Sequence, residues 1–155
     1  MALSDQSQNP LLGKWETQHE IAPFNVIYDE HFQPALEIAC SEALLEVEEI
    51  IKNRNEPTFE NTIEALLSTG QLLDRIVSTF YTIAGAHTNK KRDELLLVFS
   101  SKLSDHNTNI YSNTELFDRI DRVVKTKHLN DLDQEQDRVL KLIHRNFVRS
   151  GAALE

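Results

Sequence analysis

The residues able to do chemistry in this chain are six histidines, one cysteine and a surplus of carboxylates. A hydrolytic zinc centre needs two histidines one helical turn apart, with a glutamate beside the first to activate water, as in His-Glu-x-x-His. His19-Glu20 is the one His-Glu pair, and Ile21-Ala22-Pro23 follows it. The second histidine is missing there, and Pro23 would break the helix. His31, His87, His106, His128 and His144 stand singly along the chain. His106 interrupts an apolar stripe and reads as a packed or interface histidine. His144, inside Ile-His-Arg-Asn-Phe, reads as helix packing or surface. His87 neighbours Thr88 and Asn89 in a turn, where local hydrogen bonding accounts for all three. Cys40 falls on the apolar face of a predicted helix, the place of a small buried hydrophobe. Glu46, Glu48 and Glu49 read as a solvated helix face. A Ser-His-Asp candidate, a glycine-rich phosphate loop and a basic aromatic patch are all missing from the sequence. It assigns no catalytic, cofactor-binding or metal-binding residue.

The elements that would position such residues are helical. Residues 1 to about 28 show no period and contain Pro10, Gly13 and Pro23. They form an extended arm whose Leu11, Leu12, Trp15, Ile21 and Phe24 can pack onto a helical body. From about Glu30, Phe32, Leu36, Ala39, Cys40, Ala43, Val47, Ile50 and Ile51 recur at helical spacing, with Pro34 near the first turn. Asn53 to Pro57 breaks this helix, and Thr58 can cap the next, with Glu60 on the positive end of its dipole. That second helix is expected from Phe59 to about Ala84, apolar on two sides and therefore central, with Gly70 admitting a close neighbour. Gly85 to Thr88 makes a turn, and Asn89 can cap the third helix. Leu95-Leu96-Leu97-Val98-Phe99 has strand composition, but Leu96, Phe99, Leu103, His106 and Ile110 continue the helical period. Asn113 or Thr114 starts a fourth helix. Asp133 with Gln136 resembles a capping box for a fifth, and Gly151 its C-cap. The fold predicted is an all-α, antiparallel multi-helix domain of about five helices: an arm over 1–28 and a helical domain over 29–155.

Bulk properties exclude several functions. At 155 residues the chain fits one domain, and its 40% hydrophobic and 26% charged composition is ordinary for a globular protein. A net charge of −9 argues against non-specific binding to nucleic acid or to an anionic membrane. One cysteine allows no internal disulfide and marks no oxidising compartment. Met1 to Gln8 lack an apolar stretch, so no signal peptide is expected, and a cytoplasmic location is. Ala153-Leu154-Glu155 follows a predicted helix end, as in an excised domain, and Leu-Glu is also what an expression-tag cloning site leaves.

One word stands out: Pro57-Thr58-Phe59-Glu60-Asn61-Thr62-Ile63-Glu64-Ala65-Leu66, with Gly70 four residues on. It resembles the N-terminal region of the zinc oligopeptidases that include thimet oligopeptidase and oligopeptidase A. Further words agree in order: Asn9-Pro10-Leu11-Leu12, Pro23-Phe24, Glu30-His31-Phe32-Gln33-Pro34-Ala35, Glu115-Leu116-Phe117 and Asp118-Arg119-Ile120-Asp121. Gly85-Ala86-His87-Thr88-Asn89 and Ile143-His144 with Phe147-Val148 are most similar to the peptidyl-dipeptidase (dipeptidyl carboxypeptidase) branch.

The resemblance implies an N-terminal, non-catalytic domain of a zinc metallopeptidase that hydrolyses short peptides. In that family two mostly helical halves face a deep channel, and the C-terminal half carries zinc. This segment would then supply channel wall, with short peptides and the C-terminal catalytic domain as its partners. Alone it would bind no zinc and cleave nothing; the parent protein would be the enzyme. The alternative is a standalone helical module that binds a peptide or another protein.

Overall fold

The computed structural model describes residues 9–16, 21–129 and 131–153, so His19 and Glu20 lie outside it. The helices are α1 (Asp29–Lys52), a π-helical segment (Phe59–Glu64) leading into the short α2 (Ala65–Leu67), α3 (Gln71–Ala86), α4 (Lys90–Tyr111), α5 (Thr114–Thr126) and α6 (Gln134–Arg149). No strand occurs among the described residues, and five of these helices are long. The all-α expectation holds.

The predicted caps set several of the helix ends. Asn89 Oδ1 accepts the amide of Arg92 at 2.9 Å, and Asn113 Oδ1 that of Leu116 at 2.9 Å. Asp133 and Gln136 exchange hydrogen bonds as a capping box at the start of α6. Its far end closes with Gly151 at φ 89°, whose amide reaches Val148 O while that of Ala152 reaches Phe147 O. This crossed pair is the Schellman arrangement, and it needs a left-handed residue where Gly151 stands. Pro34 sits in the second turn of α1 rather than the first, so the carbonyl of Glu30 loses its usual amide donor.

The second predicted helix is not continuous. Ser68 to Gly70 interrupts it, and Gly70 adopts φ 74°. A Cβ there would meet only the Cβ of Ala43 at 3.7 Å, an ordinary contact. Backbone conformation, and not the close neighbour expected from sequence, is what asks for glycine. The turn after α3 is also shorter than expected, because Gly85 and Ala86 are still helical.

Two compact units result. The first takes residues up to Ala43 together with Gly70–Leu103; the second takes Leu44–Thr69 and residues from Ser104 onward. In the first, Phe32, Phe80 and Phe99 form a ring cluster, with Phe80 stacked on Phe99 at 4.0 Å and edge-on to Phe32 at 5.1 Å. Each such pair adds about 0.5–1.5 kcal/mol beyond the area it buries. Leu11 and Trp15 of the arm are buried in this core, whereas Ile21 and Phe24 remain exposed. In the second unit, Val47, Ile50, Phe59, Ile63, Leu116, Ile120, Val123, Leu140 and Phe147 make the core. The segment predicted as one central helix is therefore divided: Phe59 and Ile63 serve one core, Leu73, Ile76 and Phe80 the other. Leu67 and Tyr81, apolar residues within that predicted helix, are exposed.

Candidate functional site

The word Pro57–Leu66 begins a helix because Thr58 and Asn61 cap each other. The Asn61 amide donates to Thr58 Oγ1 at 3.1 Å, and the Thr58 amide donates to Asn61 Oδ1 at 2.8 Å. Asn61 Nδ2 also donates to the carbonyl of Glu56 at 2.8 Å, fixing the loop that precedes the cap. The turns that follow are wider than α, since the amide of Ala65 reaches back to Glu60 O as well as Thr62 O.

Arg119, projecting from α5, binds this start to the end of α1. Its Nη1 donates to the carbonyl of Asn53 at 2.6 Å; its Nη2 donates to Asn61 Oδ1 at 3.2 Å and Thr62 Oγ1 at 3.4 Å. The side chain is only 9% exposed. Burial, and then the neighbouring charge of Arg122, lowers its pKa, yet a guanidinium remains protonated. Its Nε is buried without a partner. Sequence reasoning missed this residue, although a signal exists. Arg119 stands three residues after Leu116 and four before Val123, on the buried stripe of α5.

An open cleft of about 290 Å³ adjoins Arg119. Arg54, Arg119 and Arg122 line it together with Glu56, Glu115 and Asp118, so cations and carboxylates balance and neither sign of ligand is favoured. The lining includes no thiol, hydroxyl or imidazole. Such a cleft can hold a ligand by hydrogen bonds and ion pairs, but it offers no activated nucleophile of the Ser, Cys or Thr kind.

The histidines do not converge. His106 is buried, its Nδ1 lacks a partner, and burial pushes its pKa below the usual imidazole value. His144 Nε2 lies 3.2 Å from Asp121 Oδ1, with the Phe117 ring beside it at 5.4 Å. Asp121 also binds Lys125 at 2.6 Å; that hydrogen bond, against the opposing effect of burial and with help from His144, holds its carboxyl low. His31 Nδ1 accepts the amide of Tyr28, the carbonyl of His87 accepts from Arg92, and His128 lies in an exposed 3₁₀ turn. Cys40 is half-buried, and burial raises its thiol pKa, the reverse of what a nucleophile needs. Glu48 and Glu49 are exposed, and Glu48 pairs with Lys52. Among the described residues, no group of three or more His, Cys, Asp and Glu side chains could hold a metal ion. No described helix is long and apolar enough to cross a membrane.

Fold and site together define an all-α domain that carries a small, charge-balanced cleft. The sequence is 36% identical over 148 residues to dipeptidyl carboxypeptidase of Salmonella typhimurium, and 35% identical over 148 residues to the protein of that name from Escherichia coli. Each alignment takes in 96% of this chain and 22% of the relative. No protein-family model matches. The chain is similar to dipeptidyl carboxypeptidases over nearly its whole length, as its motifs indicated, and spans about a fifth of the length of the curated relatives it matches.

Proposed function

We propose that this chain is the N-terminal, non-catalytic domain of a cytoplasmic zinc metallopeptidase of the peptidyl-dipeptidase type. It would form part of the wall of a channel that admits short peptides to a catalytic domain elsewhere in the same protein. The observation that carries this reading is the match of nearly the whole chain to about a fifth of each dipeptidyl carboxypeptidase. The described residues offer zinc no ligand set, so metal chemistry is assigned to the remainder of the protein. What these residues do is hold helices in place: Arg119 fixes the loop and helix start next to it, and the buried cores fix the rest.

The test compares the 155-residue chain with the full-length protein on a blocked pentapeptide with a free C-terminus, with and without a chelator. Dipeptide release is expected from the full-length protein alone, and the chelator should abolish it. Release by the short chain would overturn the non-catalytic reading. An inactive full-length protein would favour a helical binding module instead.

A further inference from the structure

The segment from Ile21 to Tyr28 carries no charged side chain, in a chain that is 26% charged. Phe24 is 46% exposed, Val26 44% and Tyr28 59%, while Ile27 among them is buried in the core of the first unit. Scattered exposed hydrophobes need no explanation, but three large ones within five residues form a patch. The segment is also held in shape. The amide of Phe24 donates to Ala22 O at 2.8 Å and that of Val26 to Pro23 O at 3.0 Å, closing a turn. The amide of Tyr28 donates to His31 Nδ1 at 3.0 Å, and the two rings lie 5.6 Å apart. His31 is tied in turn to the arm, since its carbonyl accepts from Asn9 Nδ2 at 2.9 Å. A pre-ordered apolar segment loses little conformational freedom when something covers it, which is how a docking surface keeps its affinity. Aromatic residues, tyrosine among them, are enriched at such surfaces.

We infer that Phe24, Val26 and Tyr28 form the surface on which the remainder of the longer polypeptide docks. This rests on the reading of the chain as one domain of a larger peptidase. The relatives carry nearly four-fifths of their length outside the matched region, and that is the partner present at the highest effective concentration. A second copy of this chain fits less well, because two bodies each bearing −9 repel one another.

The experiment places a single thiol at the patch. Phe24→Cys and Tyr28→Cys are made in a Cys40→Ala background, with Glu48→Cys as an exposed control, and maleimide labelling rates are compared. In the 155-residue chain the patch thiols should react about as fast as the control. In the full-length protein they should slow by at least about tenfold while the control does not, the usual mark of a covered site. Equal rates in both proteins would overturn the inference. So would slowing in the short chain that grows with its concentration, because that assigns the patch to a second copy. Hydroxyl-radical footprinting at Phe24 and Tyr28 of the unsubstituted proteins gives the same comparison if a cysteine variant misfolds. Chelator-sensitive dipeptide release is measured on the same full-length sample. Activity without protection sinks the docking surface alone; protection without activity sinks the peptidase reading alone.

Discussion

The first unit centres its core on three rings in mutual contact, Phe32, Phe80 and Phe99, and the second buries two rings, Phe59 and Phe147, among branched aliphatic side chains. Yet both solve one problem in the same way. Each has irregular backbone beside its core, whose carbonyls need donors, and each sends in an arginine. In the first unit Arg75 Nη2 donates to Leu11 O at 2.8 Å and Gly13 O at 3.1 Å, with its guanidinium 4.5 Å from the Trp15 ring. In the second, Arg119 serves Asn53, Asn61 and Thr62. The difference is depth: Arg75 is half-exposed and stacked, whereas Arg119 is buried. Depth decides what losing the residue costs, because water can replace Arg75 at the exposed Gly13 carbonyl but reaches the buried Thr62 hydroxyl beside Arg119 poorly.

The largest effect should come from the rings. Phe80→Ala is expected to cost about 3–5 kcal/mol, and Phe59→Ala, whose ring stands among aliphatic side chains in the other core, about 0.5–1.5 kcal/mol less, the share of a lost ring pair. Urea unfolding gives the totals, and hydrogen exchange read unit by unit shows where each falls. Equal losses would erase the contrast between the cores. Next, Arg119→Met should cost about 1.5–3 kcal/mol, the range of hydrogen bonds to a charged group, and Arg75→Met distinctly less. Matching values would mean that depth is not the deciding variable. Gly70→Ala should then cost about 1 kcal/mol through its positive φ alone, and Gly70→Asn less. A cost of several kcal/mol would put crowding against Ala43 back in the account.

The gentlest test is one of pH. Burial lowers the pKa of His106 from its ordinary 6.5, so the folded protein binds fewer protons there than the unfolded chain. Stability from this site is complete above that ordinary value and is lost as pH falls through the lowered one. His106→Phe should flatten the stability profile on this acid side. The limb from Asp29 lies lower still. Burial raises that carboxyl, but hydrogen bonds from Arg92 and Asn89 outweigh it and set its pKa below the ordinary 3.8. A profile that His106→Phe leaves unchanged would remove the histidine from the pH account.

Helix identity was legible in the sequence because periodicity and caps agree locally, as at Asn89, Asn113, Asp133 and Gly151. The break at Gly70 was not. Apolar residues continue at helical spacing on both sides of it, so the pattern cannot register a left-handed residue between them. For the same reason one stripe was read where two cores exist. The π turns at Phe59–Glu64 are invisible to a period read over six residues. Capping by Thr58 was visible in its residue type, and its reciprocal partner Asn61 stands only three residues on, but the grip of Arg119 comes from a helix more than fifty residues away in sequence. The missing His-Glu-x-x-His motif was readable directly, since it requires only adjacent letters.

Trp15 is the chain's one tryptophan, 9% exposed, with its Nε1 donating to Pro10 O at 2.8 Å and the Arg75 guanidinium over its ring. The molecule therefore has a built-in optical gauge of its N-terminal arm. Its indole emission, excited to the red of the three tyrosines, comes from one place, and detachment of the arm would move that indole from apolar packing into water and shift the emission to the red. Arm release can be followed in real time without attaching a dye.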